Sequence, residues 1–176
     1  MKCTSCEVNY GREEAEKIKT SKKPNCKKCD TELELIEFWT SEDIIQDLEF
    51  ALDQQNPVVL VAEADIGIVG FTWGYKLPLE QFEFLKPVVN GQTNYMDEMA
   101  VRNDSRVKGI GTLLGLKYIQ EISEQGLTEV ALRTDVRNAA SMTLFQKLGF
   151  KPMRLESQLP IYDPACVERI YLRRPV

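Results

Sequence analysis

Two basic residues and two glycines stand close together at Arg106, Lys108, Gly109 and Gly111, within the run MAVRNDSRVKGIG that covers Met99–Gly111. The run reads as an apolar strand, a short polar loop and the opening of a helix. Glycines at such a turn let the backbone come close to a ligand, and the first N–H groups of a helix find no acceptor inside it. With two cations and the positive end of the helix dipole added, the loop has the chemistry of an anion site, a phosphate above all. The same turn would serve equally to redirect the chain. A second feature follows 27 residues after Gly111: Asn138 leads AASMTLFQKLGF, which closes at Phe150. Asn138 has the chemistry of a helix N-cap, and Gly149 that of the residue just past a helix end.

Cysteine supplies the other constellation. Four of the five cysteines form two pairs, Cys3-x-x-Cys6 and Cys26-x-x-Cys29, with nineteen residues between Cys6 and Cys26. One CxxC turn brings two thiolates to one metal, and two such turns complete a tetrahedron, so the spacing predicts a structural zinc site. Iron in a four-thiolate site fits the same spacing. Disulfides fit a reducing compartment poorly, and no βαβ pattern surrounds either pair to support a redox role. Residues 1–35 are too few and too polar to build a core unaided, so metal binding would supply folding energy. Knuckle, hairpin, knuckle and a strand near Glu32–Phe38 make a zinc ribbon. Four thiolates leave no open position for a reacting water, so the ribbon reads as a structural or partner-binding module. Lys22, Lys23, Lys27 and Lys28 beside the second knuckle read as a solvated loop.

Composition narrows the partners. The 176 residues suit one domain with a small appendage, and 43% hydrophobic content allows a real core. Net charge is −5, from 22 basic and 27 acidic residues. An acidic chain speaks against general nucleic-acid binding, which requires a basic face, and leaves room for a cationic acceptor. No apolar run is long enough to cross a membrane and no secretory h-region opens the sequence, so the cytoplasm is the expected location. Histidine is absent, which removes the commonest general base.

The elements that must position these residues follow from periodicity. Leu33–Trp39 reads as a first strand, and Thr40-Ser-Glu-Asp43 as a capping box opening a helix that Asn56-Pro57 ends. Val58–Ala62 and Ile66–Tyr75 form a hairpin across Asp65–Gly67. Residues 78–94 make a long connection, read either as a short helix on the sheet or as a lid over an acceptor. Tyr95–Val101 is a central strand, followed by a helix bearing Ile110, Leu113, Leu114, Leu116, Ile119 and Ile122 and stopped at Gly126. Val130–Thr134 is the next strand, then the Asn138 helix, then strands Met153–Glu156 and Val167–Leu172 with a turn at Pro160–Pro164 between them. Cys166 reads as a packed core thiol of the last strand. The order β-α-β-β-β-α-β-α-β-β is α+β, with a mixed, mostly antiparallel sheet flanked by helices. Residues 1–35 form the ribbon and 36–176 the main domain.

Arg106, Gly109 and Gly111, with Asn138, Leu148, Gly149 and Phe150, resemble the motifs of the GNAT superfamily of N-acetyltransferases, over roughly Glu37 to Arg173. The resemblance implies that acetyl-CoA is the co-substrate. Arg106, Val107, Lys108, Gly109, Ile110, Gly111 and Thr112 would then line its pyrophosphate. Met99, Ala100 and Val101 would pair with the pantetheine arm, and a backbone N–H there would polarise the thioester carbonyl. It implies a carboxylate at Glu98 as general base, with Asp97 on the opposite face by alternation. It assigns Asn138 and Phe145 to the cofactor cleft. Phe145 departs from the family, which usually carries there a tyrosine that protonates the leaving thiolate; Ser141 or Tyr162 would have to substitute. The implied reaction is acetyl transfer to a primary amine of a small molecule or a protein. The alternative is a catalytically weak acetyl-CoA-binding protein whose ribbon docks a protein partner. Members are frequently homodimers, and nothing in the sequence decides that here.

Overall fold

Local sequence rules account for most of the elements. The computed structural model describes residues 3, 5–6, 25–33, 40–65, 67–102, 108–155 and 159–176. The strand read at Leu33–Trp39 lies almost wholly outside them, as do Lys22, Lys23, Arg106 and Val107. The chain divides into two compact units, Met1–Asp47 and Leu48–Val176. Helix α1 (Ser41–Asp53) opens on a capping box: the Thr40 N–H donates to Asp43 Oδ2 at 2.8 Å, and the Asp43 N–H donates to Thr40 Oγ1 at 3.1 Å.

Within the second unit, β1 (Val58–Ala64) and β2 (Gly67–Lys76) form the expected hairpin, and β2 pairs antiparallel with β3 (Thr93–Val101). Helix α2 (Ile110–Glu124) then crosses over, and β4 (Glu129–Asp135) returns parallel to β3. Helix α3 (Ala139–Lys147) leads to the short strands β5 (Lys151–Pro152) and β6 (Tyr162–Asp163) and the long β7 (Cys166–Pro175). The strand order is β1-β2-β3-β4-β7-β5, with β6 also paired to β7. Every described pairing except β3–β4 is antiparallel. The fold is therefore the mixed, mostly antiparallel α+β sheet that the sequence predicts.

A large hydrophobic cluster lies on the helix-covered face of this sheet. Tyr118, Ile119 and Ile122 of α2 and Phe145 and Leu148 at α3 pack on Met96, Val130, Leu132, Ile170 and Leu172. The two helices meet through glycines. A Cβ at Gly111 would come within 3.2 Å of Leu144, and one at Gly115 within 2.4 Å of Leu148, so a glycine pair four residues apart makes the groove that receives a leucine pair four residues apart.

Three expectations need correction. The strand read at Met153–Glu156 is shorter and earlier, at Lys151–Pro152. Pro152 cannot donate to a ladder, and it is tolerated because β5 ends the strand order, bonded to β7 alone. The turn read at Pro160–Pro164 contains β6, because Asp163 Oδ1 accepts the Ala165 N–H at 2.8 Å and shifts the reversal to Pro164–Ala165. Cys166 is half-exposed at the first residue of β7 rather than packed in the core.

The connection between β2 and β3 takes the short-helix form, tightened to a 3-10 turn at Glu83–Leu85. Leu85 is fully buried, Phe84 sets its ring against Tyr171 at 5.4 Å, and Arg173 Nη1 donates to the Val88 carbonyl at 2.6 Å. These contacts fix the segment to the end of the sheet where β3 begins.

Gly74 sits at the tightest contact of the sheet. A Cβ there would lie 2.1 Å from both the Tyr118 hydroxyl and the Tyr95 carbonyl oxygen. Since neither neighbour can yield without moving a strand or a buried ring, Gly74→Ala is expected to cost about 3 kcal/mol. Denaturant titration measures this; an unchanged midpoint would contradict the contact.

Candidate functional site

Site geometry begins with the β2–β3 register. Trp73 pairs with Glu98 but Gly74 pairs with Met96, so Asp97 is one extra residue, a β-bulge. Beside it the β3–β4 ladder stops: its last pair is Met96–Leu132. Past that point β3 continues to Val101 along β2, and β4 continues to Asp135 along β7. The two central strands thus part toward their C-terminal ends, and Met99, Ala100 and Val101 border the opening on the β3 side.

At that same end α2 starts. Gly109 is its N-cap, with φ +83°, a left-handed value that favours glycine. The first intrahelical bond runs from the Leu113 N–H to the Gly109 carbonyl at 2.9 Å, so the N–H groups from Gly109 to Thr112 precede the helical ladder. Lys108 is exposed beside them, Ile110 is buried under β2 with Val69 and Leu114, and Gly111 faces Leu144. Arg106 and Val107 lie outside the described residues. Across the opening, Asn138 caps α3 with Oδ1 accepting the Ser141 N–H at 3.1 Å. Phe145 is buried in the core, edge-on to Phe150 at 5.6 Å.

The bulge also decides where the carboxylates stand. Glu98 is half-buried opposite Trp73, and its backbone carbonyl accepts the Thr72 hydroxyl at 2.8 Å. Asp97 was expected on the other face. It instead accepts the Tyr75 hydroxyl at 3.2 Å, and the Tyr75 ring lies among Phe50 and Tyr95 on the aromatic face. The extra residue breaks strict alternation, so both carboxylates belong to that face. Burial pushes the Tyr95 phenol far above its ordinary pKa, so it stays neutral there.

Arg133, Asp163, Tyr171 and Arg169 extend the same face across β4, β6 and β7, and the sequence reading missed all four. For Arg133 and Arg169 the signal was a charged residue inside a run read only as a core strand; Asp163 lay in a segment read as a turn. Arg133 Nη1 donates to Asp163 Oδ2, and Asp163 is almost fully buried. Burial alone would raise the Asp163 carboxyl, but the Ala165 N–H, the Arg133 guanidinium and the charge of Arg169 outweigh it and hold it below the ordinary carboxylate value. A cavity of about 460 Å³ lies elsewhere, among Gln54, Gln55, Lys76, Pro78 and Gln81, at the end of the sheet where β3 begins.

The four cysteine sulfurs of the first unit gather within 4.8 Å of one another. Cys3 and Cys29 approach to 3.6 Å, and Cys6 and Cys26 to 3.5 Å. A tetrahedral zinc thiolate site, with Zn–S bonds of about 2.3 Å, has sulfur–sulfur edges of ~3.8 Å, so the set fits that metal. Hydrogen bonds to the side chain and backbone of Thr31 lower the Cys29 pKa, which favours the ligating thiolate. The second knuckle turns tightly: the Asp30 N–H donates to the Cys26 carbonyl, and the Cys26 N–H to that of Thr31, both at 2.8 Å. Leu33 packs against Cys3 and Cys26.

The acetyltransferase (GNAT) family model matches residues 25–150. No curated protein sequence matches. Solved structures with a similar fold include the PaiA N-acetyltransferase of Thermoplasma acidophilum in complex with coenzyme A, 16% identical with a TM-score of 0.55 over 77% of this chain and 70% of that one. The ribosomal-protein-S18-alanine N-acetyltransferase of Escherichia coli is 19% identical with a TM-score of 0.52, over 74% and 76% of the two chains. A Bacillus subtilis acetyltransferase in complex with CoA is 19% identical with a TM-score of 0.55, over 77% and 84%. At these identities the likeness is one of fold.

The Arg133–Asp163 pair makes a pH-dependent contribution of definite sign. Because the folded Asp163 pKa is depressed, its stabilisation is complete above the unfolded value near 4 and fades as pH falls through the folded value. Asp163→Ala should cost about 2 kcal/mol at pH 7 and distinctly less at pH 2–3. Unfolding midpoints at the two pH values check this, and equal losses at both would contradict it.

Proposed function

The chain belongs to the GNAT acetyltransferase family, and from that premise we propose that it moves an acetyl group from acetyl-CoA to a primary amine of a small molecule or protein. The parting of β3 from β4 after Met96–Leu132, with the Gly109 helix start at its mouth, carries this reading. An extended pantetheine arm would enter the opening as a partial added strand along Met99, Ala100 and Val101. Backbone N–H groups from Lys108 to Thr112, with Arg106 and Val107 ahead of them, would hold the pyrophosphate at the positive end of α2. Two of the structures similar in fold are complexes with coenzyme A, which supports the same placement.

In the reaction the amine nitrogen attacks the thioester carbonyl, and its surplus proton passes to the Glu98 carboxylate directly or through a water. A backbone N–H on β3 stabilises the developing oxyanion. The CoA sulfur leaves as a thiolate, which is stable enough near neutral pH to need no dedicated acid. Phe145 supplies no proton, and its burial against Phe150 makes it a packing residue of the core. That burial also supports a second reading, in which the protein holds acetyl-CoA with little turnover and its ribbon docks a partner.

We place the zinc ribbon at residues 1–35 and the transfer domain at 36–176, in the cytoplasm, where reduced thiols are available to a metal. Among the described residues no helix is long and apolar enough to cross a membrane. Cys3, Cys6, Cys26 and Cys29 would hold zinc as a closed structural centre that supplies folding energy to the ribbon. Elemental analysis should therefore find one zinc per chain, lost in Cys26→Ser; zinc retained at full stoichiometry in that variant would contradict the assignment.

Titration with desulfo-CoA tests the cofactor site: saturable binding is expected, and Gly109→Asp should abolish it by placing a carboxylate at the phosphate. Glu98→Gln should lower turnover tenfold or more at saturating amine while leaving desulfo-CoA affinity unchanged. Unchanged turnover would remove Glu98 from the reaction. Tight binding of acetyl-CoA with no CoA release across an amine panel would favour the second reading.

A further inference from the structure

The cavity of about 460 Å³ at the end of the sheet where β3 begins falls within the size range of small-molecule sites. Three segments wall it: the turn after α1 with Gln54 and Gln55, the run from the end of β2 to Gln81, and Gly91 before β3. Backbone hydrogen bonds hold these walls. The Lys76 N–H donates to the Gln55 carbonyl at 2.7 Å, the Leu77 N–H to that of Thr93 at 2.9 Å, and the Gln81 N–H to that of Pro78 at 2.9 Å. Gly91 leaves its wall without a side chain, and a Cβ there would meet nothing within 4 Å. The cavity is separate from the opening between β3 and β4. Thr72, the β2 partner of Met99, lies four residues from Lys76, about 13 Å along the strand.

Two opposite charges line this cavity and do not meet. Lys76 is half-buried, and neither its ammonium nor the Glu80 carboxylate makes a hydrogen bond or ion pair with any described residue. Gln54 donates through Nε2 to the Phe50 carbonyl at 3.2 Å, which leaves its Oε1 as an acceptor at the C-terminal end of α1. That end is the negative pole of the helix and has no basic residue in its last turn. An ammonium therefore finds Glu80 and Gln54 Oε1, and a carboxylate finds Lys76. A ligand with one charge alone would face a wall charge of its own sign. A molecule that carries both is complementary to the two together. Leu77, Pro78 and Leu79 add apolar surface for its carbon atoms.

We propose that this cavity binds a small zwitterion, an α-amino acid or a short peptide, with its carboxylate on Lys76 and its ammonium on Glu80 and Gln54. Free amino acid and short peptide present the same pair of charges to these residues. The ligand is held away from the thioester and is not acetylated. The inference goes beyond acetyl transfer and does not depend on it.

A thermal-shift panel of the twenty free α-amino acids and the matching Gly-X dipeptides, applied to the zinc-loaded full chain, selects the tightest member for calorimetry. Which half of the panel supplies it identifies the source of the zwitterion. Its C-terminal amide and its N-acetyl derivative should each bind at least tenfold more weakly than the parent, since each lacks one charge. Lys76→Gln should weaken the parent by a similar factor and leave the amide unchanged, because the amide has no carboxylate for Lys76 to hold. Glu80→Gln should weaken the parent and leave the N-acetyl derivative unchanged. The unchanged affinities, with unchanged binding of desulfo-CoA, also report that both variants are folded. The proposal is overturned if no panel member stabilises the wild type at about 10 mM. A parent no tighter than its derivatives, or an equal loss of parent and derivatives in each variant, overturns it as well. So does binding that both variants retain in full and that releases CoA from acetyl-CoA, which would put the zwitterion in the transfer opening.

Discussion

Between Met96 and Glu98 the β3 strand carries one more residue than β2 opposite it, and much of the open end of the sheet depends on that insertion. A bulge bends its strand and strengthens its twist. Here the bend coincides with the end of the parallel ladder at Met96–Leu132, so β3 follows β2 and β4 follows β7. The opening between them has backbone along one wall and the start of α2 at its mouth. The same insertion turns Asp97 toward Tyr75 and sets both carboxylates on the aromatic face. Gly74 lies directly opposite, where no side chain fits between Tyr118 and the β3 backbone. One extra residue thus shapes the cleft and selects the face on which a base would stand.

The two faces of the sheet have divided their work. One is closed by α2 and α3 over aliphatic side chains and would receive the cofactor where the helices begin. The other is aromatic and charged, with Trp73, Tyr75, Tyr95 and Tyr171 largely buried yet bordered by Asp97, Glu98, Arg133 and Arg169. Aromatic walls hold charged groups in a fixed environment of low polarity, where each ionic contact is stronger than in water. Chemistry between two substrates at such a sheet takes place through the gap that joins the two faces.

Local features of the fold were legible in sequence because each has a local cause. The Thr40–Asp43 box, the Asn138 cap, the Gly149 helix end and the glycine-led start of α2 all depend on contacts within a few residues. The parallel return of β4 follows from the helix between it and β3. What escaped depends on distant pairs. The bulge at Asp97 is a property of the β2–β3 register, so alternation counted along β3 alone put that carboxylate on the wrong face. Arg133 and Asp163 are thirty residues apart and meet only because β6 folds onto β7. Gly111 read as a phosphate residue, while its packing against Leu144, and the role of Gly115 altogether, required the neighbouring helix.

The interlock of Gly111 and Gly115 with Leu144 and Leu148 reaches beyond packing. It sets the first turn of α2 directly against the helix that Asn138 opens, so the two borders of the opening share one packing contact. A larger side chain at Leu148, which is buried against Gly115, would press on α2 itself, the helix whose N-terminus Gly109 caps. Variation at Leu144 or Leu148 would then act on the helix start that borders the opening, through packing alone.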